Sequence, residues 1–139
     1  MYKKFKFSNQ INLRVDENKK YIERLKERWI SKLLDIEFKG KDIILRQLAN
    51  ATVEYTCEYA YISIKFILAD NVELFPYNVR VPVEMTAYQK SSAPILFLIH
   101  VVNGVINELE ILTADSSRID IDNIDLESVE YDINSCLQE

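Results

Sequence analysis

An Asn-Gly dipeptide between two apolar segments constrains this chain more than any other feature. Asn103-Gly104 follows the apolar run Ile95–Val102 and precedes a second apolar segment, residues 105–112. Asparagine and glycine both accept positive φ values, which a two-residue type I′ turn requires at its two positions. The segment therefore predicts a β-hairpin that turns at residues 103 and 104.

The turn also implies a register for the hairpin, because residues equally distant from it oppose each other. Counting outward gives one face with four cross-strand pairs: Val102 with Val105, His100 with Asn107, Leu98 with Leu109, and Leu96 with Ile111. The other face carries two pairs, Ile99 with Glu108 and Phe97 with Glu110. We expect the first, mainly apolar face to meet the core. The second mixes apolar and acidic groups, which is typical of a face that is half covered or that meets a partner.

Two helices are predicted before the strands. A helix from Asp16 to Ile36 is indicated by apolar residues at spacings of four and three, which places them on one face: Tyr21, Leu25, Trp29, Leu33 and Ile36. After Gly40, Asp42 is expected to cap a short helix that ends near Asn50. The residues of this second helix that are predicted to face inward are Ile43, Ile44, Gln47 and Leu48.

From Thr52 onward the apolar residues alternate with polar ones, which indicates strands. The alternating sets are Val53, Tyr55 and Cys57; Ile62, Ile64, Phe66 and Leu68; Val79, Val81, Val83 and Met85; and Val129, Tyr131 and Ile133. Pro82 lacks an N–H donor and favours an edge strand or a bulge. A short strand is also compatible with the first fifteen residues, where Phe5, Phe7, Ile11 and Leu13 partly alternate. The predicted fold is α+β: two N-terminal helices packed on an antiparallel sheet of about five strands, in a single domain, residues 1–139.

Composition excludes several classes of protein. No apolar run approaches the roughly 18 residues of a membrane helix, and the basic first seven residues are not followed by the apolar core of a signal peptide. We therefore expect a cytoplasmic protein whose cysteines, Cys57 and Cys136, remain thiols. The single histidine, His100, argues against a metal site, and the scarcity of glycine argues against a phosphate-binding loop. No metal or other cofactor is expected.

Charge is distributed unevenly along the chain, whose net charge is −5. Residues 1–46 carry +6, residues 47–139 carry −11, and the stretch from residue 103 onward alone carries −9. Such asymmetry is typical of an acidic end that binds a basic partner. Alternatively, the two ends complement each other within one fold.

Candidate catalytic groups are few, and each has a structural interpretation. His100 has no carboxylate opposite it in the predicted register, so a core histidine bonded to Asn107 is favoured over a general base. Glu108 and Glu110 would lie about 7 Å apart along one strand, a distance that glycoside hydrolysis can use, but no glycine-rich loop accompanies them. Cys57 alternates with apolar residues, which indicates a small buried side chain. We therefore predict no catalytic residue.

Several short motifs lie between about Leu34 and Ile119, and the hairpin block is the most distinctive. They are Phe38-Lys39-Gly40, Gln47-Leu48, Val81-Pro82-Val83-Glu84, Ile99-His100-Val101-Val102-Asn103-Gly104, Glu108-Leu109-Glu110-Ile111 and Asp115-Ser116-Ser117. Together they resemble a family of small, functionally uncharacterised bacterial proteins. Ile99 stands where that family has a leucine, and Asp115-Ser116 stands in place of its acidic-Gly loop. The family is similar to proteins found beside bacterial toxin genes, so the resemblance implies an immunity role.

Charge and resemblance together predict an immunity protein that neutralises a cognate bacterial toxin, a basic nuclease, by occluding its active site. The predicted partner-binding residues, whose carboxylates would imitate phosphates, are Asp115, Asp120, Asp122, Asp125, Glu127 and Glu130. Apolar anchors such as Ile124, Leu126 or Tyr131 would slow release of the partner. No membrane and no small-molecule substrate are predicted.

Two alternatives remain at this stage. A nucleic-acid-binding regulatory module would use basic residues of the N-terminal region, namely Lys3, Lys4, Lys6, Lys19, Lys20, Arg24, Lys26, Arg28 and Lys32. The acidic charge of the whole chain disfavours binding to phosphates. An enzyme would need a formed pocket that holds His100 beside a carboxylate.

Overall fold

The computed structural model describes residues 15–90 and 92–139, which form two helices and one six-stranded antiparallel sheet. The helices are α1 (Val15–Leu33) and α2 (Lys41–Ala49). The strands are β1 (Ala51–Cys57), β2 (Tyr61–Leu68), β3 (Val83–Tyr88), β4 (Ile95–Val102), β5 (Val105–Thr113) and β6 (Asp125–Ile133), and a 3-10 helix spans Ser135–Leu137. The α+β class and the order of helices before strands are confirmed. The short strand suggested for the first fifteen residues falls almost wholly on residues 1–14, which lie outside the described residues.

The hairpin of β4 and β5 lies in the middle of the sheet, whose strand order is β1-β2-β5-β4-β3-β6. Its Asn-Gly turn is confirmed, since Val102 opposes Val105 and φ is 53° at Asn103 and 79° at Gly104. Because β2 and β3 flank this hairpin, the central part of the sheet is hydrogen-bonded on both sides.

The register predicted for this hairpin is wrong beyond its first pair. Val101 opposes Ile106 and His100 opposes Glu108, so Asn107 is an extra residue in β5. A β-bulge of this kind shifts every later residue of the strand by one position, which reverses the face of each side chain. The core-facing residues of the hairpin, each at most 4% exposed, are Ile95, Phe97, Ile99, Val101, Ile106, Leu109 and Ile111.

Helix α1 packs against this core face through the apolar stripe that its sequence predicts. Leu25, Trp29 and Leu33 are buried, and the Trp29 ring lies 5.9 Å from the ring of Phe97. The helix ends at Leu33, before the predicted Ile36. Tyr131 of β6 donates a hydrogen bond to the Lys32 carbonyl oxygen at 2.5 Å, which attaches the last turn of the helix to the sheet.

Helix α2 is capped differently from the prediction. Gly40, with φ 86°, is the N-cap, and Asp42 lies within the first turn, 3.3 Å from Arg46. A Cβ atom at residue 40 would lie 2.4 Å from the ring of Phe75, so the close packing also requires glycine.

The segment between β2 and β3, residues 69–82, is called the strap, and it runs past the hairpin turn. Gln47 of α2 is 2% exposed, and its amide nitrogen donates to the carbonyl oxygens of Glu73 at 2.7 Å and Gly104 at 2.9 Å. Its amide oxygen accepts from the Ile106 N–H at 2.8 Å. One inward-facing side chain therefore joins α2, the strap and the hairpin.

Strand β3 begins later than the sequence predicts. Val79 and Val81 belong to the strap, and Pro82 precedes the first residue of a strand that lies between β4 and β6. The expectation of an edge strand or a bulge at Pro82 is therefore wrong, because a proline just before a strand removes no hydrogen bond from the ladder.

Candidate interaction surface

One face of the sheet is turned away from both described helices and is called the outer face. It consists of the side chains that alternate with the core residues along each strand, since opposed residues of neighbouring strands share a face. Its members in β4, β5 and β2 are Leu96, Leu98, His100, Glu108, Glu110, Leu112, Tyr61, Ser63, Lys65 and Ile67. The other strands add Thr52, Glu54, Thr56, Glu84, Thr86, Tyr88, Asp125, Glu130 and Asp132.

Three leucines form the apolar centre of the outer face. Leu96 opposes Leu112, and Leu98 lies on the neighbouring row between Glu110 and Glu84. All three leucines are half-buried, although the sequence analysis assigned Leu96 and Leu98 to the core. The bulge at Asn107 explains the error, because it pairs Leu109 with Ile99 and Ile111 with Phe97, so that the odd-numbered residues of β4 face the core.

Carboxylates surround this centre. Among the paired positions of the six strands, the outer face carries Glu54, Glu84, Glu108, Glu110, Asp125, Glu130 and Asp132, and Lys65 is the only lysine or arginine there. Glu84 lies directly opposite Asp132. Within the described part of the chain, neither of these two carboxylates forms an ion pair with lysine or arginine. Like charges placed opposite each other are destabilising, so this pair weakens the fold.

The bulge also brings His100 beside two carboxylates that the sequence analysis placed on the other face. The His100 Nε2 lies 2.8 Å from Glu110 Oε1, and the Arg80 Nε–H donates to His100 Nδ1 at 3.1 Å. Because Nδ1 accepts a hydrogen bond, the hydrogen of the neutral ring lies on Nε2. The predicted contact with Asn107 is not formed.

This geometry limits what His100 can do chemically. A general base needs a ring nitrogen whose lone pair faces the substrate, but here one nitrogen accepts from Arg80 and the other donates to Glu110. The hairpin turn and the strap enclose an open pocket of about 500 Å³, which is lined by Arg80 but not by His100 or any carboxylate. His100 and the carboxylate that it contacts therefore lie outside this pocket.

Glu108 is held as a carboxylate by its neighbours on β2. Its Oε2 accepts hydrogen bonds from Ser63 Oγ at 2.5 Å and from Tyr61 Oη at 2.9 Å. Burial raises the pKa of Glu108, but these two hydrogen bonds and the positive charge of Lys65 outweigh it and lower the pKa below its ordinary value. Burial and the bond to Glu108 raise the pKa of Tyr61.

The predicted partner-binding residues separate into two groups. Asp125 and Glu130 lie on the outer face, at the strand that forms its edge in the described sheet, and Tyr88 donates a hydrogen bond to Glu130 that raises the pKa of the tyrosine. Glu127 is exposed in the irregular part of β6, where the register with β3 shifts.

The remaining three belong to the segment between β5 and β6, which crosses the end of the sheet. Asp115 accepts from the Ser117 N–H at 3.0 Å, and hydrogen bonds from Ser117 lower the pKa of this aspartate. Asp120 accepts from Asn123, and Asp122 accepts from the Tyr21 hydroxyl of α1. In the described part of the chain, none of the six predicted carboxylates forms an ion pair with lysine or arginine.

The basic residues predicted for nucleic-acid binding are described only in part. Lys26 pairs with Glu23 at 3.1 Å, and the Arg24 guanidinium lies 5.6 Å above the ring of Tyr21. Arg28 is exposed on the same helix. The side chains of Lys3, Lys4, Lys6, Lys19 and Lys20 lie outside the described residues.

From the sequence, Glu108 and Glu110 were placed on a face that could meet a partner, but Phe97 and Ile99 were assigned to that face in place of Leu96 and Leu98, and Glu84 and Asp132 were not connected with it. The clearest signal of the outer face was the pair of consecutive polar residues Asn107-Glu108 between Ile106 and Leu109, which interrupts the alternation and marks a bulge. Among the described residues, no helix is long and apolar enough to cross a membrane, and no group of histidine, cysteine and acidic side chains is placed to hold a metal ion.

Comparison of the chain with protein-family models, curated protein sequences and solved structures gave no match. Its function is therefore inferred from the surface of the chain.

Proposed function

We propose that this chain is a cytoplasmic immunity protein that binds a cognate bacterial toxin, a basic nuclease, and blocks its active site. One observation carries the proposal. In the described residues, none of the six predicted carboxylates forms an ion pair with lysine or arginine, so the surface that they form keeps its negative charge. Uncompensated charge attracts a partner of opposite sign over distances of about 10 Å at 0.1 M salt.

The mechanism is occlusion. Asp115, Asp120, Asp122, Asp125, Glu127 and Glu130 would occupy the cleft in which the nuclease binds phosphates. Complementary charge speeds association, to about 10⁸ M⁻¹s⁻¹ or more at low salt. Once the charges are in place, apolar contacts slow the dissociation of the complex.

Not all of the apolar anchors predicted from the sequence are available to a partner. Ile124 and Leu126 are half-buried and remain candidates. Tyr131 faces the core and its hydroxyl is bonded to the carbonyl of Lys32, so we do not assign it to the interface.

Inhibition by this chain would need no chemistry of its own. Both ring nitrogens of His100 are engaged within the chain, which supports a structural role for the histidine. Glu108 is likewise held by Ser63 and Tyr61. No residue is therefore proposed as catalytic.

The test uses the protein encoded by the gene adjacent to that of this chain. Its nuclease activity and its Kd for this chain are measured at 50 mM and 300 mM NaCl. The triple variant Asp120→Asn, Asp122→Asn, Asp125→Asn should raise the Kd by about 100-fold at low salt and flatten the salt dependence, because exposed charged contacts contribute roughly 1 kcal/mol each.

A control of equal charge is the triple variant Glu37→Gln, Asp42→Asn, Glu73→Gln. These acids are exposed and lie near α2, where each pairs with a lysine or arginine of the chain. The control should change the Kd by less than about fivefold. Equal effects of the two triple variants, or a wild-type chain that neither binds nor inhibits the adjacent protein, would contradict the proposal.

A further inference from the structure

We infer that the partner docks on the outer face of the sheet, with Leu96, Leu98 and Leu112 at the centre of the contact. The partner is a protein, and the surface that it brings to this contact is a patch of lysine or arginine side chains around an apolar side chain. This inference rests on the proposed function and names the surface that it uses. It moves the main contact from the segment between β5 and β6 to the sheet itself.

The apolar and charged groups of the outer face are arranged as they are at a protein interface. Specific protein interfaces have an apolar centre that becomes fully buried and a polar rim that stays wet. The outer face has this arrangement, because three half-buried leucines occupy two neighbouring rows and acidic residues lie beside them. Leu98 has Glu84 on one side and Glu110 on the other, so an apolar group seated on it is flanked by carboxylates.

Glu84 and Asp132 of the outer face form an unfavourable cross-strand pair. In the described residues these opposed carboxylates have no compensating lysine or arginine. Natural chains keep a locally unfavourable arrangement mainly at functional sites. A cationic side chain of a partner, placed between the two carboxylates, would convert their repulsion into attraction.

The same charge selects among occupants. A second copy of this chain would bring a second acidic face against the first, and like charges across an interface disfavour the complex. Nucleic acid and anionic lipid would be repelled for the same reason. A basic protein surface is the occupant whose charge complements the face.

The centre of the outer face lies on strands that are held within the sheet. Strands β3, β4 and β5 are each hydrogen-bonded on both sides, so the leucines and Glu84 are carried by backbone that is already ordered before binding. A preordered surface loses less conformational entropy on association than a loop does. Asp125 and Glu130 continue the face along β6, which connects it to two of the residues predicted from the sequence.

The test separates the outer face from the neighbouring loop with single variants of this chain. Glu84→Lys places a lysine opposite Asp132, which should form a cross-strand ion pair and keep the fold stable. Leu98→Gln removes the apolar centre without changing charge. The probe is the protein encoded by the adjacent gene, with Kd as the readout and thermal unfolding as the check on folding.

Each variant has a matched control away from the outer face. Glu37→Lys makes the same charge change at an exposed residue that precedes α2, and Leu74→Gln makes the same apolar-to-polar change in the strap, where Leu74 is 57% exposed. Glu84→Lys and Leu98→Gln should each raise the Kd by about 30-fold or more. The controls should stay within about threefold of the wild type.

A third variant, Asp115→Asn with Asp120→Asn and Asp122→Asn, tests the loop alone. If this loop variant loses binding while Glu84→Lys and Leu98→Gln bind as the wild type does, the partner uses the loop, and the inference fails while the proposed function stands. If the wild-type chain does not bind the probe, the proposed function fails and this inference fails with it.

Discussion

At the scale of single residues, the surroundings of a side chain decide its role. Glu108 and Glu110 belong to one strand, two positions apart, yet Glu108 is held by Ser63 and Tyr61 whereas Glu110 contacts His100. Glu108 is therefore stabilised as an anion by its neighbours. Because its pKa is lowered in the folded chain, its contribution to the free energy of unfolding depends on pH.

Replacement of Glu108 by glutamine should destabilise the fold in a pH-dependent way. The folded-state pKa of Glu108 lies below its value in the unfolded chain, so the contribution is complete above the unfolded pKa, near 4.5, and is lost as pH falls through the folded pKa. We expect Glu108→Gln to lower the free energy of unfolding by about 1–2 kcal/mol at pH 7. The difference from the wild type should shrink below pH 4.5. Urea unfolding between pH 7 and pH 3 measures it.

The control for this prediction is Glu58→Gln, which removes an exposed carboxylate in the turn between β1 and β2. It should show no comparable pH-dependent loss. A Glu108→Gln difference that stays constant from pH 7 to pH 3 would show that the carboxylate is not stabilised in the folded state.

At the scale of elements, one extra residue in β5 decides which side of the hairpin is acidic. Val101 opposes Ile106 and His100 opposes Glu108, so Asn107 lies outside the regular pairing. The outer face with its leucines depends on this bulge, because in a regular register Phe97 and Ile99 would share a face with Glu108 and Glu110.

Deletion of Asn107 should therefore preserve the fold. The shortened strand would pair His100 with Glu108 in a regular ladder, and every later residue would keep its face. We expect a loss of at most about 2 kcal/mol in the free energy of unfolding, in the range of ordinary single mutations. Thermal unfolding and amide NMR spectra of the deletion variant measure the outcome.

Deletion of Leu109 is the matched control, because it moves Glu110 into a core position and should abolish cooperative unfolding. If deletion of Asn107 unfolds the chain and deletion of Leu109 is tolerated, the pairing of the hairpin differs from the one described.

At the scale of the whole molecule, the acidic residues at the paired positions of the described sheet lie on its outer face. The chain carries a net charge of −5, and its outer face presents a row that includes Glu110, Leu98, Glu84 and Asp132. Self-repulsion within such a surface opposes folding and favours a basic partner. Stability and binding should consequently respond to salt in opposite directions.

We expect sodium chloride to stabilise the isolated chain. Raising the concentration from 20 mM to 500 mM should increase the free energy of unfolding by about 1 kcal/mol, because salt screens repulsion between exposed carboxylates. Glu84→Gln should stabilise the chain by about 0.5 kcal/mol at 20 mM and reduce the salt increment, since it removes one half of the pair with Asp132. Urea unfolding at both salt concentrations measures the effect.

The control for this prediction is Glu37→Gln, which removes one charge from an exposed ion pair with Lys41. It should leave the increase in the free energy of unfolding between 20 mM and 500 mM NaCl nearly unchanged. A chain that becomes less stable as salt is added would indicate that favourable ion pairs outweigh the repulsion among its acids.

The sequence by itself determined much of the local structure of this protein. The apolar stripe of α1, the inward-facing Gln47 and the turn at Asn103-Gly104 could all be predicted, because helix period, strand alternation and positive φ depend on residues close together in the chain. The α+β class followed from the order of these local patterns.

Only the tertiary structure decided which residues meet on the outer face. Glu84 opposes Asp132, and Ser63 contacts Glu108, across distances in sequence that no local pattern reports. The bulge at Asn107 then decided which residues of β5 share a face with which residues of β4. As a result, Leu98 lies outside the core and His100 lies beside Glu110. Strand order and register arise from packing of the whole core, because a shift of one residue in a strand reverses every side chain that follows.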